Sequence, residues 1–236
     1  MTNLLIVIAT FNERQTLPDL VQQIWKHVPE AQILVVDDNS PDGTGQCVRQ
    51  EQQANPQLQL LHREHKQGLG AATIAGLKQA LTYDCQWIAT MDADFSHRPI
   101  DLQKLYAAAQ ANTHDVIVGS RYITSGRIEN WSWRRRAMSR GVNRLVRWRL
   151  RLPVNDCSGA FRIYRKATLQ ALDLQQIDLP GFVYLEQILL HLHQQQATFC
   201  EVPIVFSERE LGSSKINVRS LMANMIDLFR LLKRRR

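Results

Sequence analysis

Cysteine is scarce in this chain of 236 residues, and Cys47, Cys85, Cys157 and Cys200 stand far apart. None of them is paired at metal-ligand spacing, and the scatter makes no disulfide framework, so they read as reduced thiols of a cytosolic protein. Long apolar runs are also missing. The opening run at residues 4–9 is too short for a secretory leader and leads straight into polar residues. No run approaches the ~20 apolar residues of a membrane span, which leaves a soluble chain or one peripheral to a membrane. Internal repeats, linkers and low-complexity tracts are lacking beyond a mild glutamine enrichment, so nothing divides the chain into independent domains. Acid is absent from one long stretch: from Trp131 no acidic residue occurs until Asp156.

What is present is ordinary globular composition, 44% hydrophobic and 22% charged. The length suffices for one large domain or two small ones. A net charge of +7 favours a polyanionic partner: nucleic acid, an anionic membrane or a phosphorylated substrate.

The β-branched run at residues 4–9 predicts a strand buried on both faces. The turn Thr10-Phe11-Asn12-Glu13-Arg14 follows, then a helix with Leu17, Leu20, Val21 and Ile24 inward. A second strand at 33–36 discharges into Asp37-Asp38-Asn39-Ser40-Pro41-Asp42-Gly43, and a polar helix runs from Thr44 to about residue 53. A third strand at 58–61 precedes a helix over 68–81. The run Trp87-Ile88-Ala89-Thr90-Met91 predicts the central strand, which stops abruptly at Asp92-Ala93-Asp94-Phe95-Ser96-His97. A helix over 100–111 and a strand at 116–118 lead to Gly119-Ser120-Arg121-Tyr122.

Alternating strands and helices predict a mostly parallel sheet with helices on both faces. Ligands of such sheets sit beyond the carboxyl ends of the strands. Glu13, Asp37 with Asp38, Asp92 with Asp94, and Arg121 would therefore share one edge. A lone Asp-x-Asp is an ordinary turn. Several carboxylates converging there point instead to a nucleotide site with a hard cation such as Mg²⁺ or Mn²⁺, which takes one or two carboxylates plus substrate phosphates. Gly68-Leu69-Gly70 resembles a dinucleotide fingerprint, but residue 73 is Thr and the segment follows the third strand rather than the first. Those glycines read as a tight turn and close helix–sheet packing.

Beyond Trp131 the character changes. At 100° per residue Arg136, Arg140, Arg144, Arg147 and Arg151 share one helical face, with Met138, Val142, Leu145 and Leu152 opposite. This is the pattern of a basic amphipathic helix at a membrane surface, or of a core helix with a solvated face. Nucleic-acid binding is a third reading, without an accompanying zinc-finger, helix-turn-helix or RNP-type signature. A strand at 161–164, a helix over 183–195 and a strand at 202–206 follow, the last at a sheet edge because of Pro203. His191 and His193, two apart, face different directions and are not read as ligands. A final helix from about Val218 ends in Lys233-Arg234-Arg235-Arg236.

Taken together, Asn12-Glu13-Arg14, the Val36–Thr44 segment with its Asp37-Asp38, Lys66-Gln67-Gly68-Leu69-Gly70, the Met91–His97 segment and Gly119-Ser120-Arg121-Tyr122 occur in the order of a known family. Ser139-Arg140-Gly141-Val142-Asn143, the run from Ser158 to Arg165 and Gly212-Ser213-Ser214-Lys215 extend the match over nearly the whole chain. The sequence resembles the family 2 glycosyltransferases of GT-A fold, within them the dolichyl-phosphate or polyprenyl-phosphate mannose synthases. The resemblance implies an α/β, nucleotide-diphospho-sugar transferase fold and one catalytic domain over residues 1–236. Residues 1–122 would form its nucleotide-sugar half and 123–236 its acceptor half.

The resemblance also implies an inverting transfer of mannose from GDP-mannose to a polyprenyl phosphate. Ala9, Phe11, Glu13, Val36 and Asp38 would contact base and ribose; Asp92, Ala93 and Asp94 would hold the diphosphate. Asp92, Asp94 and Ser96 would carry the divalent metal. Arg121, Arg135 and Ser139 would meet the acceptor phosphate, and Arg209 with Lys215 would close over the reacting phosphates. Asp94, Arg121 and Arg135 are the expected catalytic residues. Departures from the pattern are Ala9 and Phe11, where the family usually has Pro and Tyr, and Glu186, one place early in Gly181-Phe182-Val183-Tyr184-Leu185-Glu186-Gln187. On a helix that turns the carboxylate by about 100°, which leaves Glu186 outside the expected site.

A phosphate monoester is already anionic near neutral pH and needs no general base. Its difficulty is lying beside another anion, which arginines relieve by bidentate contacts. An ion pair of Arg121 with a loop carboxylate such as Asp92 is the structural alternative. The expected location is cytoplasmic, peripheral on the cytoplasmic face of a membrane, docked on an anionic surface by the basic helices or by a membrane-anchoring partner protein, with no nucleic acid. Transfer from UDP-glucose, transfer to a hydroxyl acceptor, and a nonenzymatic protein binding a polyanion stay open on the residues alone.

Overall fold

The computed structural model describes residues 3–178, 181–207, 227–228 and 230–231. Seven residues of β1 (Leu4–Thr10) are all buried, as an uninterrupted apolar run requires when both faces of its sheet are covered. Helix α1 (Leu17–His27), β2 (Gln32–Asp37), α2 (Thr44–Ala54), β3 (Leu58–His62), α3 (Leu69–Ala80) and β4 (Trp87–Thr90) follow. Then come α4 (Pro99–Gln110), β5 (Val116–Ser120), β6 (Arg127–Ile128), α5 (Trp133–Leu150), β7 (Arg162–Arg165) and α6 (Lys166–Gln170). Helix α7 (Tyr184–Gln194), β8 (Phe199–Pro203) and β9 (Val205–Phe206) complete the named elements.

The main sheet has the order β3-β2-β1-β4-β7-β5-β8. Its strands run parallel except β7, which lies antiparallel between β4 and β5. The period of two in β1 divides the core. Leu5 and Val7 pack with Leu77 of α3, Val146 and Leu150 of α5 and Leu189 of α7. Leu4, Ile6 and Ile8 pack on the other face with Leu20 and Ile24 of α1 and Leu102 and Leu105 of α4. Each such side chain contributes about 1.5–3 kcal/mol through burial. Because β1, β2, β4 and β5 all point the same way, Glu13, Asp38, Asp92 and Arg121 emerge along one edge of the sheet.

Several details depart from the expectations. Residues 202–206 are not one strand. β8 starts at Phe199 and ends on Pro203 at the sheet edge, while β9 pairs with β6 in a separate two-stranded sheet. Ile204 joins them, its N–H donating to Ser120 and its carbonyl accepting from Arg127. The close helix–sheet approach belongs to Gly76, whose missing Cβ would fall 2.7 Å from Val36 Cγ2 and would also strike Val7. At Gly70 a Cβ would meet the Gly181 carbonyl at 2.8 Å, so that glycine packs α3 against the loop before α7 instead. Gly68 makes the tight turn, at φ +93°. Of the last helix, residues 227, 228, 230 and 231 are described and helical, with Leu228 and Leu231 in the core. Its start near Val218 and the cluster at 233–236 lie outside the described residues.

Candidate active site

At the carboxyl end of β2, Asp38 is buried and its carboxylate accepts from Arg63, from the Gln67 N–H and, at 2.7 Å, from the Gly68 N–H. It thereby ties the loop before α3 across the ends of β1 and β2. Lys66, carried by that loop, stands 3.5 Å from the centroid of the Phe11 ring. Buried Glu13 takes a hydrogen bond from Thr16, and its N–H donates to Thr44. Ala9 ends the apolar part of β1 beside them. Val36 is fully buried with its Cγ2 toward α3, so its side chain does not reach the cleft. A polar cavity of about 420 Å³ opens next to this region, lined by Arg14, Asp37, Ser40, Asp42, Arg49 and His62 among others.

Beyond β4, Ser96 donates to Asp94 Oδ1 through both its hydroxyl, at 2.5 Å, and its N–H, at 3.1 Å. The hydroxyl proton of Ser96 is thus committed to orienting Asp94. Asp92 is held through its backbone, whose N–H donates to His97 Nδ1 at 3.0 Å. Burial keeps the His97 imidazole below its ordinary pKa, against the pull of Asp92 and Asp94, as an accepting Nδ1 requires. The ring stacks on Phe161 at 4.8 Å and meets Phe206 edge-on at 5.6 Å. Ala93 is buried between the two carboxylates.

The donor set fits a hard divalent cation that arrives with a diphosphate. It offers oxygen only, and among the described residues no group of three or more His, Cys, Asp or Glu could hold a metal by itself. Mg²⁺ and Mn²⁺ are characteristically shared between one or two carboxylates, substrate phosphates and water.

Just past β5, Arg121 is 7% exposed and forms a bidentate pair with Asp156, both N···O distances being 2.7 Å. Its backbone N–H also donates to Asp156, and its Nη2 reaches Ser158 at 3.0 Å. Asp156, not Asp92, is the carboxylate that holds it. Burial opposes the charge on each partner, but their mutual attraction wins: the arginine is held above its ordinary range and the aspartate below its own. Asn143 of α5 braces the same loop, donating to Ser158 and accepting from the Cys157 N–H. Ser139 sits one turn earlier, its hydroxyl 2.7 Å from that of Tyr122. Arg135 lies over the Trp131 ring, 3.8 Å from its centroid. Arg209 and Lys215 lie outside the described residues.

The sequence assigns no site role to Asp156, Asn143 or Arg162, although the last two fall in family-like segments, since long-range packing is what buries each of them. Arg162, fully buried in β7, donates to the carbonyls of Leu185 and Cys157, and its Nε has no partner among the described residues. Glu186 likewise has an unpartnered buried Oε2. Burial pushes its carboxyl up to about 7, with Arg162, Asp156 and Arg121 as charged neighbours. Glu186 is thus buried, within electrostatic reach of the Arg121–Asp156 pair.

The expected face of α5 is divided. Asn143, Val146 and Leu150 are buried, while Met138, Leu145, Trp148 and Trp133 are exposed, Trp148 by 73%. Leu152 lies past the helix end and is buried. An apolar strip of Met138, Leu145 and Trp148 therefore faces outward beside the arginine row. Among the described residues no helix is long and apolar enough to cross a membrane.

The model of the family described as Glycosyl transferase family 2 matches residues 5–173. A polyprenol monophosphomannose synthase of Mycolicibacterium smegmatis is 38% identical over 222 residues, covering 92% of this chain and 83% of the relative. An undecaprenyl-phosphate mannosyltransferase of Micrococcus luteus is 38% identical over 213 residues, covering 90% and 87%. Among solved structures, glucosyl-3-phosphoglycerate synthase of Mycobacterium tuberculosis, in complex with Mn²⁺, UDP-glucose and phosphoglyceric acid, superposes with a TM-score of 0.70 at 14% identity, covering 98% of this chain and 80% of that one. A mannosyltransferase of Pyrobaculum calidifontis, in complex with GDP-Man and Mn²⁺, superposes with a TM-score of 0.63 at 15% identity, covering 98% and 64%. The fold is the GT-A arrangement expected from the sequence.

Proposed function

Because the chain belongs to glycosyl transferase family 2, we propose that this glycosyltransferase moves mannose from GDP-mannose to a polyprenyl phosphate with inversion at the anomeric carbon. The observation that carries the reading is one sheet edge with two opposite ends. Asp92 and Asp94 leave β4, Arg121 leaves β5, and only β7 lies between those strands. An acidic end suited to a metal diphosphate thus adjoins a cationic end suited to a second anion. The names of the two 38% identical relatives support polyprenyl phosphate and mannose as acceptor and sugar.

In this reading Phe11, Glu13 and Asp38 shape the nucleoside end, and Asp94, oriented by Ser96, and Asp92, fixed by His97, would hold Mg²⁺ or Mn²⁺ with the diphosphate. A metal bound there would act as a Lewis acid, offsetting charge on the departing nucleotide. Arg135 and Ser139 meet the acceptor phosphate. Arg121, with Asp156 occupying one side of its guanidinium, sets the positive potential that lets two anions approach. The phosphate oxygen attacks without a base. Residues 1–122 serve the donor and 123–236 the acceptor.

A lipid acceptor keeps its tail in the bilayer, so the acceptor end must approach headgroups. We assign that approach to the arginine row and the exposed Met138, Leu145 and Trp148 of α5, as a reversible contact with an anionic cytoplasmic membrane face. Titration calorimetry with GDP-mannose and UDP-glucose, with and without Mn²⁺, followed by turnover with polyprenyl phosphate, tests the proposal. Mn²⁺-dependent binding of GDP-mannose and formation of polyprenyl-phosphate-mannose are expected. Preference for UDP-glucose would replace the donor, and transfer only to hydroxyl acceptors would overturn the acceptor.

A further inference from the structure

Trp131 stands directly before Ser132, the N-cap of the 18-residue α5. The first turn of that helix carries Arg134, Arg135 and Arg136 and no acid. This reverses the usual arrangement, because a helix N-terminus is already partly positive and favours anions. The backbone and the side chains there call for the same thing, an anion.

A second, independent observation lies in the indole. Its Nε1 is buried and has no hydrogen-bond partner among the described residues. Buried polar groups nearly always have one, and an indole nitrogen can only donate. The half-buried ring has two neighbours: Arg135 lies on its face at 3.8 Å, and Phe206 meets it at 5.6 Å and 76°. Phe206 also receives Arg121, at 5.2 Å, and the edge of His97. Trp131 therefore stands in a row between Arg121 and Arg135, and these ring contacts leave its buried N–H unaccounted for.

We propose that Trp131 is a further acceptor-binding residue, whose indole N–H donates to an oxygen of the acceptor's phosphate while its ring, braced by Phe206, holds Arg135 at the same group. The inference rests on the acceptor class proposed above. An uncharged donor here adds a hydrogen bond, and the ring that carries it fixes a guanidinium whose bidentate geometry depends on orientation.

Geranyl phosphate, titrated without donor into the ¹⁵N-labelled full chain, provides the test. The Trp131 indole resonance is identified by its absence in Trp131→Phe. It is expected to move as geranyl phosphate binds, and Trp131→Phe, which keeps a ring but loses the N–H, is expected to bind about tenfold more weakly with unchanged affinity for GDP and Mn²⁺. In turnover the loss should fall on the acceptor KM rather than on kcat. An indole resonance that stays in place at saturation, or affinity within twofold in Trp131→Phe, overturns the proposal. The titration is read on the wild-type protein, and a Trp131→Phe spectrum that keeps the other four indole resonances in place shows that the variant used for the assignment is folded. A moving resonance without transfer from GDP-mannose would instead sink the functional reading and leave this one standing.

Discussion

Glu186→Gln isolates the energetic consequence of a buried carboxyl that no base pairs among the described residues. The side chain is 5% exposed, and burial pushes it from the ordinary 4.5 up to about 7. Below 4.5 the folded and unfolded chains both carry the proton, and the group leaves stability unchanged. Between 4.5 and about 7 only the folded chain keeps it. Stability then falls as pH rises, by about 1.36 kcal/mol per pH unit, and levels off above the folded value after a loss of about 3 kcal/mol. Glutamine has nearly the same shape and cannot ionise. Urea unfolding of both proteins from pH 4.5 to 8, at constant m, reads the difference directly, and titrations elsewhere cancel in it. The variant should gain about 3 kcal/mol over the wild type across that range, roughly 6–12 °C in Tm near pH 8. A difference independent of pH, or one that turns in favour of the wild type toward pH 8, would refute the reasoning; the latter would show Glu186 ionised and answered by Arg162.

Arg121→Ala should unfold more easily by roughly 3–5 kcal/mol, because it strands the buried Asp156 carboxylate; unchanged urea midpoints would show the pair to be dispensable. Arg135→Ala should keep its stability and lose acceptor turnover by about tenfold or more, and Arg135→Lys should rescue it poorly, since an ammonium cannot make a bidentate contact. Asp94→Asn is expected to keep its circular dichroism and lose Mn²⁺-dependent nucleotide-sugar binding in calorimetry; wild-type affinity would remove Asp94 from the metal end. Flotation with liposomes should show binding to anionic vesicles that weakens with salt, as screening over ~8 Å implies, and Trp148→Ser should reduce it; equal binding to neutral vesicles would exclude the arginine row as the cause.

The edge of the site was legible because it follows from strand chemistry. An apolar run that ends in Asp92-Ala93-Asp94 must bury the run and release the acids, and right-handed crossovers place successive parallel strand ends together. Ser96 was named as a metal residue through family resemblance, and its bond to Asp94 needs only two residues of chain. Arg135 and Ser139 share a helix, so their one-turn spacing was also readable. For Glu186 the sequence offers only a one-residue offset from the family pattern, a turn of about 100° on a helix, which does not say what the side chain then meets. In α7 every residue from Tyr184 to Leu190 is buried, so rotating a side chain moves it between interiors, not from site to solvent.

Sequence alone thus determined the layered α/β architecture, the acidic strand end and the basic stretch after Trp131, since periodicity, strand termini and missing acid are local properties. Tertiary structure decided which residues meet across distance. It inserted β7 backwards between β4 and β5, gave Arg121 its partner 35 residues away in Asp156, turned Met138, Leu145 and Trp148 outward, and left the Trp131 N–H without a partner among the described residues. Those outcomes depend on which faces the packed core has already used, and no window of the chain contains that information.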